Sequence, residues 1–296
     1  MQHMALPARL LRQRLLSLLD ALPAAASGDV ASVHRARVAS RRLRAVLPVL
    51  AGAADSDALD RARKHVRRIT RVLGPIREID VALVLLDEVG PFSETAPRAL
   101  ARVRSHLMAE RTSRRRAMLE VITPATLRTL EARLHVASRP HPSSSVDEAE
   151  IRGARQRGVR RARALIDETQ RAGGLYVPER LHAVRIAAKK LRYALEVERE
   201  LTRSRAVARI HRLKRLQDAL GEIHDFEILL QHVREVQVRL AGTDLRAATE
   251  LDALVRTLEQ RCREGHASFL RDRARLTDLC RTVIAAGAEA APAPAG

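Results

Sequence analysis

The segment VHRARVASRRLRAVL (Val33–Leu47) is written again as LHAVRIAAKKLRYAL (Leu181–Leu195). A shift of 148 places His34 on His182, Arg37 on Arg185, Arg41 on Lys189, Arg42 on Lys190 and Arg44 on Arg192. Downstream, a shift of 147 places Lys64 on His211, Arg67 on Lys214, Arg68 on Arg215, Gly74 on Gly221, Glu78 on Asp225 and Asp80 on Glu227. A match sustained over two successive segments at so long a period implies two similar folding units rather than a solenoid.

Apolar residues recur at spacings of three and four nearly throughout, so each unit is helical. The expected fold is all-α: two pseudo-symmetric four-helix bundles from an internal duplication, because short loops favour antiparallel neighbours. Residues 1–138 form the first bundle, 139–147 a linker, 148–286 the second bundle and 287–296 a disordered tail. The linker shows in the prolines and serines of SRPHPSSSVDE, and the tail in its small residues. Helices are expected at Leu6–Leu22, Ser32–Ala51, Asp57–Leu73, Pro75–Val89, Glu94–Val121 and Pro124–Ala137. The second set is Glu148–Ala172, Pro178–Leu201, Arg205–Leu220, Glu222–Leu240, Asp244–Leu270 and Leu276–Ala285. Gly74 and Gly221 suit helix C′ positions, and Pro75 suits the first position of the next helix.

On a helical wheel at roughly 100° per residue, Arg37, Arg41 and Arg44 fall within about 80° of His34. Leu43, Val46, Leu47 and Leu50 fall on the opposite side. One face packs inward while the other carries a cationic stripe about 15 Å long. The second copy repeats this with His182, Arg185, Lys189 and Arg192 outside and Leu191, Ala194 and Leu195 inside. The next helix carries Lys64, Arg67, Arg68 and Arg71 in one copy, and His211, Lys214 and Arg215 in the other. Like charges at these spacings repel by a few tenths of a kcal/mol per pair, and a bound polyanion would relieve that repulsion. Glu78 and Asp80 are two apart and point to different sides of their helix, so they cannot share one metal site, and the same holds for Asp225 and Glu227. They are expected to hold nearby arginines or favour a helix N-terminus.

Composition agrees with an anion-binding role. The formal net charge is +19 over 296 residues. Of 54 basic residues only four are lysine, and Lys64, Lys189, Lys190 and Lys214 all lie in the repeated segments. Such a field favours nucleic acid, an anionic membrane or a simpler polyphosphate. Aromatic residues are only 2%, which disfavours single-strand stacking platforms. The stripes lack the Trp, Phe or Leu neighbours that membrane insertion needs. No span approaches bilayer length, and the N-terminal leucines read as an amphipathic helix rather than a signal peptide. Cys262 and Cys280 are expected to be reduced, buried thiols of a cytoplasmic protein. No HExxH, histidine triad or Cys/His cluster appears, so no metal, cofactor or catalytic residue is assigned. Arginine neighbours should depress the pKa of His34 and His182, making anion binding stronger as pH falls.

The doubled H-x-x-R-x-x-x-[RK]-[RK]-L-R segment, each followed by a helix ending in Leu-Gly, resembles the CHAD domain, the conserved histidine α-helical domain. The resemblance covers the chain from about Leu6 to Leu279. It implies two four-helix bundles whose basic surfaces face a central cavity, non-enzymatic binding of inorganic polyphosphate, and association with polyphosphate granules. Carried over by position, the implied ligand residues are His34, Arg37, Arg41, Arg42, Arg44, His182, Arg185, Lys189, Lys190 and Arg192. Lys64, Arg67, Arg68, His211, Lys214 and Arg215 would complete the site. Asp218 stands where the first copy has Arg71, so the second stripe is shorter. The rival reading is nucleic-acid binding on the same surface.

Overall fold

The computed structural model describes residues 6–47, 56–137, 148–202 and 206–288. The described residues form helices joined by short turns, with no strand among them. In order, the helices are α1 (Leu6–Ser27), α2 (Val30–Val46), α3 (Ser56–Val89), α4 (Pro97–Val121) and α5 (Pro124–Ala137). There follow α6 (Glu148–Ala172), α7 (Pro178–Thr202), α8 (Val207–Ala241), α9 (Leu245–Glu250) and α10 (Asp252–Ala288). The expected linker at 139–147 lies outside the described residues, as does Leu50. Of the expected tail, Gly287 and Ala288 close α10, and the remainder lies outside the described residues.

The α1–α2 corner shows how local chemistry sets an element. Gly28 takes φ 101°, a conformation glycine reaches without a Cβ penalty. Arg111 on α4 donates to the Gly28 carbonyl at 2.8 Å, and Arg115 donates to the Ala26 carbonyl at 3.0 Å. Two carbonyls at the end of α1 are thereby satisfied from another helix. Asp29 then caps α2 by accepting from the Ser32 N–H at 2.7 Å.

Two expected breaks are absent. The chain runs through Gly74–Pro75 without interruption in α3, and through Gly221 in α8. Neither glycine has positive φ, so neither is a C′ cap. Pro75 removes one intrahelical hydrogen bond, at about 3 kcal/mol for an interior proline. Against that, Ile69, Leu73, Ile76 and Ile79 are all at most 3% exposed, and each buried aliphatic contributes about 1.5–3 kcal/mol. Burial wins, and the helix continues. The expected Asp244–Leu270 helix is instead split at Leu251 into α9 and α10, and burial again joins its longer part, from Asp252, to the expected Leu276–Ala285 segment. Phe269, Leu276, Leu279 and Cys280 are buried on one face of α10, and the intervening RDRAR holds no helix breaker.

Three apolar clusters result. The first joins Leu11 and Leu18 of α1, Leu43 of α2, Ile69 of α3 and Leu130 of α5, and it also takes Val197 and Leu201 from α7. The second joins Leu165 of α6, Val184 and Leu191 of α7, Leu213 of α8 and Cys280 of α10. The third draws on both halves of the chain: Ile79 and Leu86 of α3, Leu107 of α4, Leu229 and Val233 of α8 and Leu258 of α10. Besides this shared core, α2 packs on α7 and α3 on α8. Cys262 and Cys280 are free and buried. Among the described residues no helix is long and apolar enough to cross a membrane.

Candidate functional site: a basic cluster between α2 and α7

The inward faces of α2 and α7 are as their spacing predicts. Val33, Ala36, Leu43 and Val46 are buried on α2, and Val184, Ala188, Leu191 and Leu195 on α7. The cationic faces are not simply turned to water. Because α2 packs against α7, their stripes are brought together, and Arg37, Arg41, Arg185 and Lys189 lie within electrostatic reach of one another. The side chains of Arg37 and Arg185 are only 19% and 12% exposed.

The repeated placement of the two glycines has a reason. A Cβ built on Gly74 would stand 2.7 Å from Nη1 of Arg37. One on Gly221 would stand 3.9 Å from Nε and Nη2 of Arg185. The guanidinium groups pass close to α3 and α8 at these points. Each reaches a carboxylate one turn further on: Arg37 donates to Glu78 at 3.4 Å, and Arg185 lies 3.9 Å from Asp225.

This pairing leaves most of the positive charge uncompensated. Among the described residues no carboxylate is at ion-pair distance from Arg41 or Lys189, and the buried Nε of Arg185 has no hydrogen-bond acceptor. Burial lowers the pKa of Arg37 and Arg185, and in each case neighbouring arginine charge acts in the same direction. Asp225 is raised by its own burial despite Arg185. Lys189 shows the largest consequence. Its pKa falls from 10.5 to about 6, first through burial and then through Arg185, Arg41 and Arg37, with Asp225 opposing.

The motif histidines flank this cluster. Burial lowers the pKa of His34, with Arg77 and Arg37 adding to it. His182 is lowered by burial, His224, Arg185 and Lys189, against Glu227. Its Nδ1 lies 3.3 Å from Nδ1 of His224, while Glu227 accepts from the Tyr176 hydroxyl at 2.8 Å. Arg77 and His224 were not singled out from the sequence. The signal was available, since a shift of 147 equates them and each sits beside its copy's motif histidine.

The other expected ligand residues divide. Arg44 extends the cluster toward Arg67 on α3. Arg192 is already engaged, donating to Gln217 at 2.8 Å and to Glu196 at 2.6 Å, with its guanidinium 4.6 Å from the Tyr193 ring centre. Lys190 lines a separate cavity of about 320 Å³ with Arg161, Glu168 and His182. Arg42, Lys64, Arg68, His211, Lys214 and Arg215 are exposed, and no ion pair among the described residues holds them. Asp80 is the buried partner of Arg111 at 2.6 Å, which ties α3 to α4.

Gly74 separates stability from binding. Gly74→Ala supplies a better helix former at an ordinary helical φ, worth up to about 1 kcal/mol, yet forces the Arg37 guanidinium aside. The expected outcome is an unchanged or higher melting temperature with anion affinity reduced several-fold. Thermal melts and titrations on the one variant check both.

No curated protein matches the chain. Among solved structures, a CHAD domain from the plant Ricinus communis aligns with TM-score 0.60 at 22% identity, covering 99% of this chain and 95% of that one. PptA from Streptomyces chartreusis aligns with TM-score 0.58 at 19% identity, covering 96% and 98%. At these identities the likeness is one of fold. The family model of the CHAD domain matches residues 9–234, and with most of its length inside that match the chain belongs to the CHAD domain family.

Proposed function

We propose that this protein binds inorganic polyphosphate without chemical turnover, a linear phosphate chain lying between the α2 and α7 stripes. The observation that carries the reading is the cluster of Arg37, Arg41, Arg185 and Lys189, in which Arg41 and Lys189 have no acid partner among the described residues and Arg185 keeps a buried, unused donor. A protein rarely leaves buried donors unpaired, and such groups call for an explanation. Phosphate oxygens would accept from the guanidinium forks and neutralise the ammonium. His34, Arg44 and Arg67 would extend the track on one side, and His182 on the other. Arg42, Lys64, Arg68, Lys190, His211, Lys214 and Arg215 would serve as an outer field that draws the anion in. Arg192 would act mainly by ordering Tyr193.

The reading makes residues 1–138 and 148–286 two copies of one bundle joined by 139–147. The like pairing of α2 with α7 and of α3 with α8 supports it. No chemical step is assigned, since the nearby carboxylates Glu78 and Asp225 are each engaged by an arginine. Among the described residues, the aromatic ring beside the cluster is already covered by cations. Arg41 and Arg192 lie over the Tyr193 ring, and Phe226 and Phe269 are buried. A cytoplasmic location on polyphosphate granules follows as part of the same proposal.

Titration with long-chain polyphosphate, pyrophosphate and RNA tests this directly. Polyphosphate should bind most tightly, and should displace RNA at much lower phosphate concentration than the reverse. Equal or tighter RNA binding overturns the proposal in favour of a nucleic-acid role, and phosphate release overturns its non-enzymatic part.

A further inference from the structure

Away from the basic cluster, α4 and α8 bring together His106, His232 and Glu235. His106 Nε2 lies 3.2 Å from His232 Nδ1 and 3.4 Å from Glu235 Oε2, and His232 Nδ1 lies 3.6 Å from the same oxygen. Three donor atoms each about 2.0–2.1 Å from one tetrahedral ion stand roughly 3.3 Å apart. The observed triangle therefore has the edge lengths of such a site before any adjustment. The His106 side chain is 7% exposed, His232 16% and Glu235 38%, so the ligand atoms are sheltered but reachable. His232 and Glu235 share one helical face at i, i+3, while His106 comes from a helix 126 residues earlier. Glu235 also lines the cavity of about 1190 Å³ bordered by α8 and α10, which gives an ion a route in.

We propose that His106, His232 and Glu235 form a three-ligand site for a divalent transition metal of the Zn²⁺ type, one that clamps α4 to α8. Two imidazoles with one carboxylate suit such ions, whereas Mg²⁺ and Ca²⁺ prefer all-oxygen sets. Three protein ligands leave a fourth position for water or an anion. One neighbour opposes the metal. Arg239 places Nη1 3.0 Å from Nδ1 of His106. That contact makes Nδ1 an acceptor and leaves the proton on Nε2, the nitrogen the metal needs. Metal entry therefore requires Arg239, which is exposed on the last turn of α8, to rotate away. Glu110 and Arg114 of α4 also lie within electrostatic reach of His232 and are paired with each other at 3.3 Å. Without metal the same groups form a hydrogen-bonded chain from Arg239 through His106 to His232.

The test is calorimetric titration of the chelator-treated full chain with Zn²⁺, in the absence of phosphates, together with thermal melts. One equivalent should bind saturably and raise the melting temperature by mass action. Glu235→Gln should weaken binding by about tenfold or more, and His106→Ala with His232→Ala should remove it. Arg239→Ala should tighten binding, an outcome a purely hydrogen-bonded cluster would not give. His182→Ala should leave it unchanged. If His106→Ala fails to fold, the surface variants Glu235→Gln and Arg239→Ala still decide. Absence of a saturable equivalent, indifference to Glu235→Gln, or loss confined to His182→Ala overturns the proposal. Polyphosphate affinity is measured separately, so either reading can fail alone.

Discussion

Replacing Arg41 and Lys189 together with glutamate should abolish polyphosphate binding and leave the helices intact. Each cation would contribute charge-assisted hydrogen bonds worth about 1.5–3 kcal/mol. Losing both removes about 3–6 kcal/mol, a hundredfold or greater loss at 1.4 kcal/mol per tenfold. The introduced carboxylates would also pair with Arg37 and Arg185 and occupy the track. Stability should not fall, because like-charge neighbours are being removed from a half-buried cluster. Circular dichroism and melting temperature should match the parent chain while titration shows no saturable polyphosphate binding. Retained affinity in a folded variant would move the site away from the α2–α7 contact.

Binding should also take up protons. In the free protein Lys189 has a pKa of about 6, so near pH 7.5 it is mostly neutral. A phosphate anion beside it restores the charge and raises that pKa. Affinity should therefore strengthen as pH falls from 8 toward 6, by at most about tenfold per pH unit for one linked proton. The lowered His34 and His182 extend the trend below their usual 6.5. Calorimetry in two buffers of different ionisation enthalpy, at fixed ionic strength, reads the proton directly. Lys189→Arg, which stays charged throughout, should flatten the profile above pH 6.5. The free protein behaves in the opposite sense. Between pH 6 and 10.5 its unfolded state holds the Lys189 proton that the folded state has lost, so its stability rises with pH across that window. A profile flat from pH 5.5 to 8 would remove Lys189 and the histidines from the binding step.

Residue spacing alone determined that this chain is helical, which face of α2 and α7 is apolar, and which side chains form the cationic stripes. Those properties are local, since a period of 3.6 decides them within a few turns. Spacing also linked Glu78 and Asp225 to arginines, and the structure pairs them with Arg37 and Arg185. The helix breaks at Gly74, Gly221 and residues 271–275 misread the sequence, because propensity is weak against the burial of Leu73, Ile76 and Leu276. The glycines serve a neighbour instead, giving the arginines of α2 and α7 room to cross α3 and α8.

Only tertiary packing decided which cations meet. The stripes carry sixteen expected ligand residues, yet the contact of α2 with α7 gathers Arg37, Arg41, Arg185 and Lys189, while Lys190 and Arg192 find other surroundings. It also decided Lys189's depressed pKa and the meeting of His106 with His232. The physical reason is range. Helical periodicity acts between residues three and four apart, whereas desolvation and Coulomb interaction depend on distance in space: Arg41 and Arg37 act on Lys189, and His106 meets His232, from more than a hundred positions away in the chain.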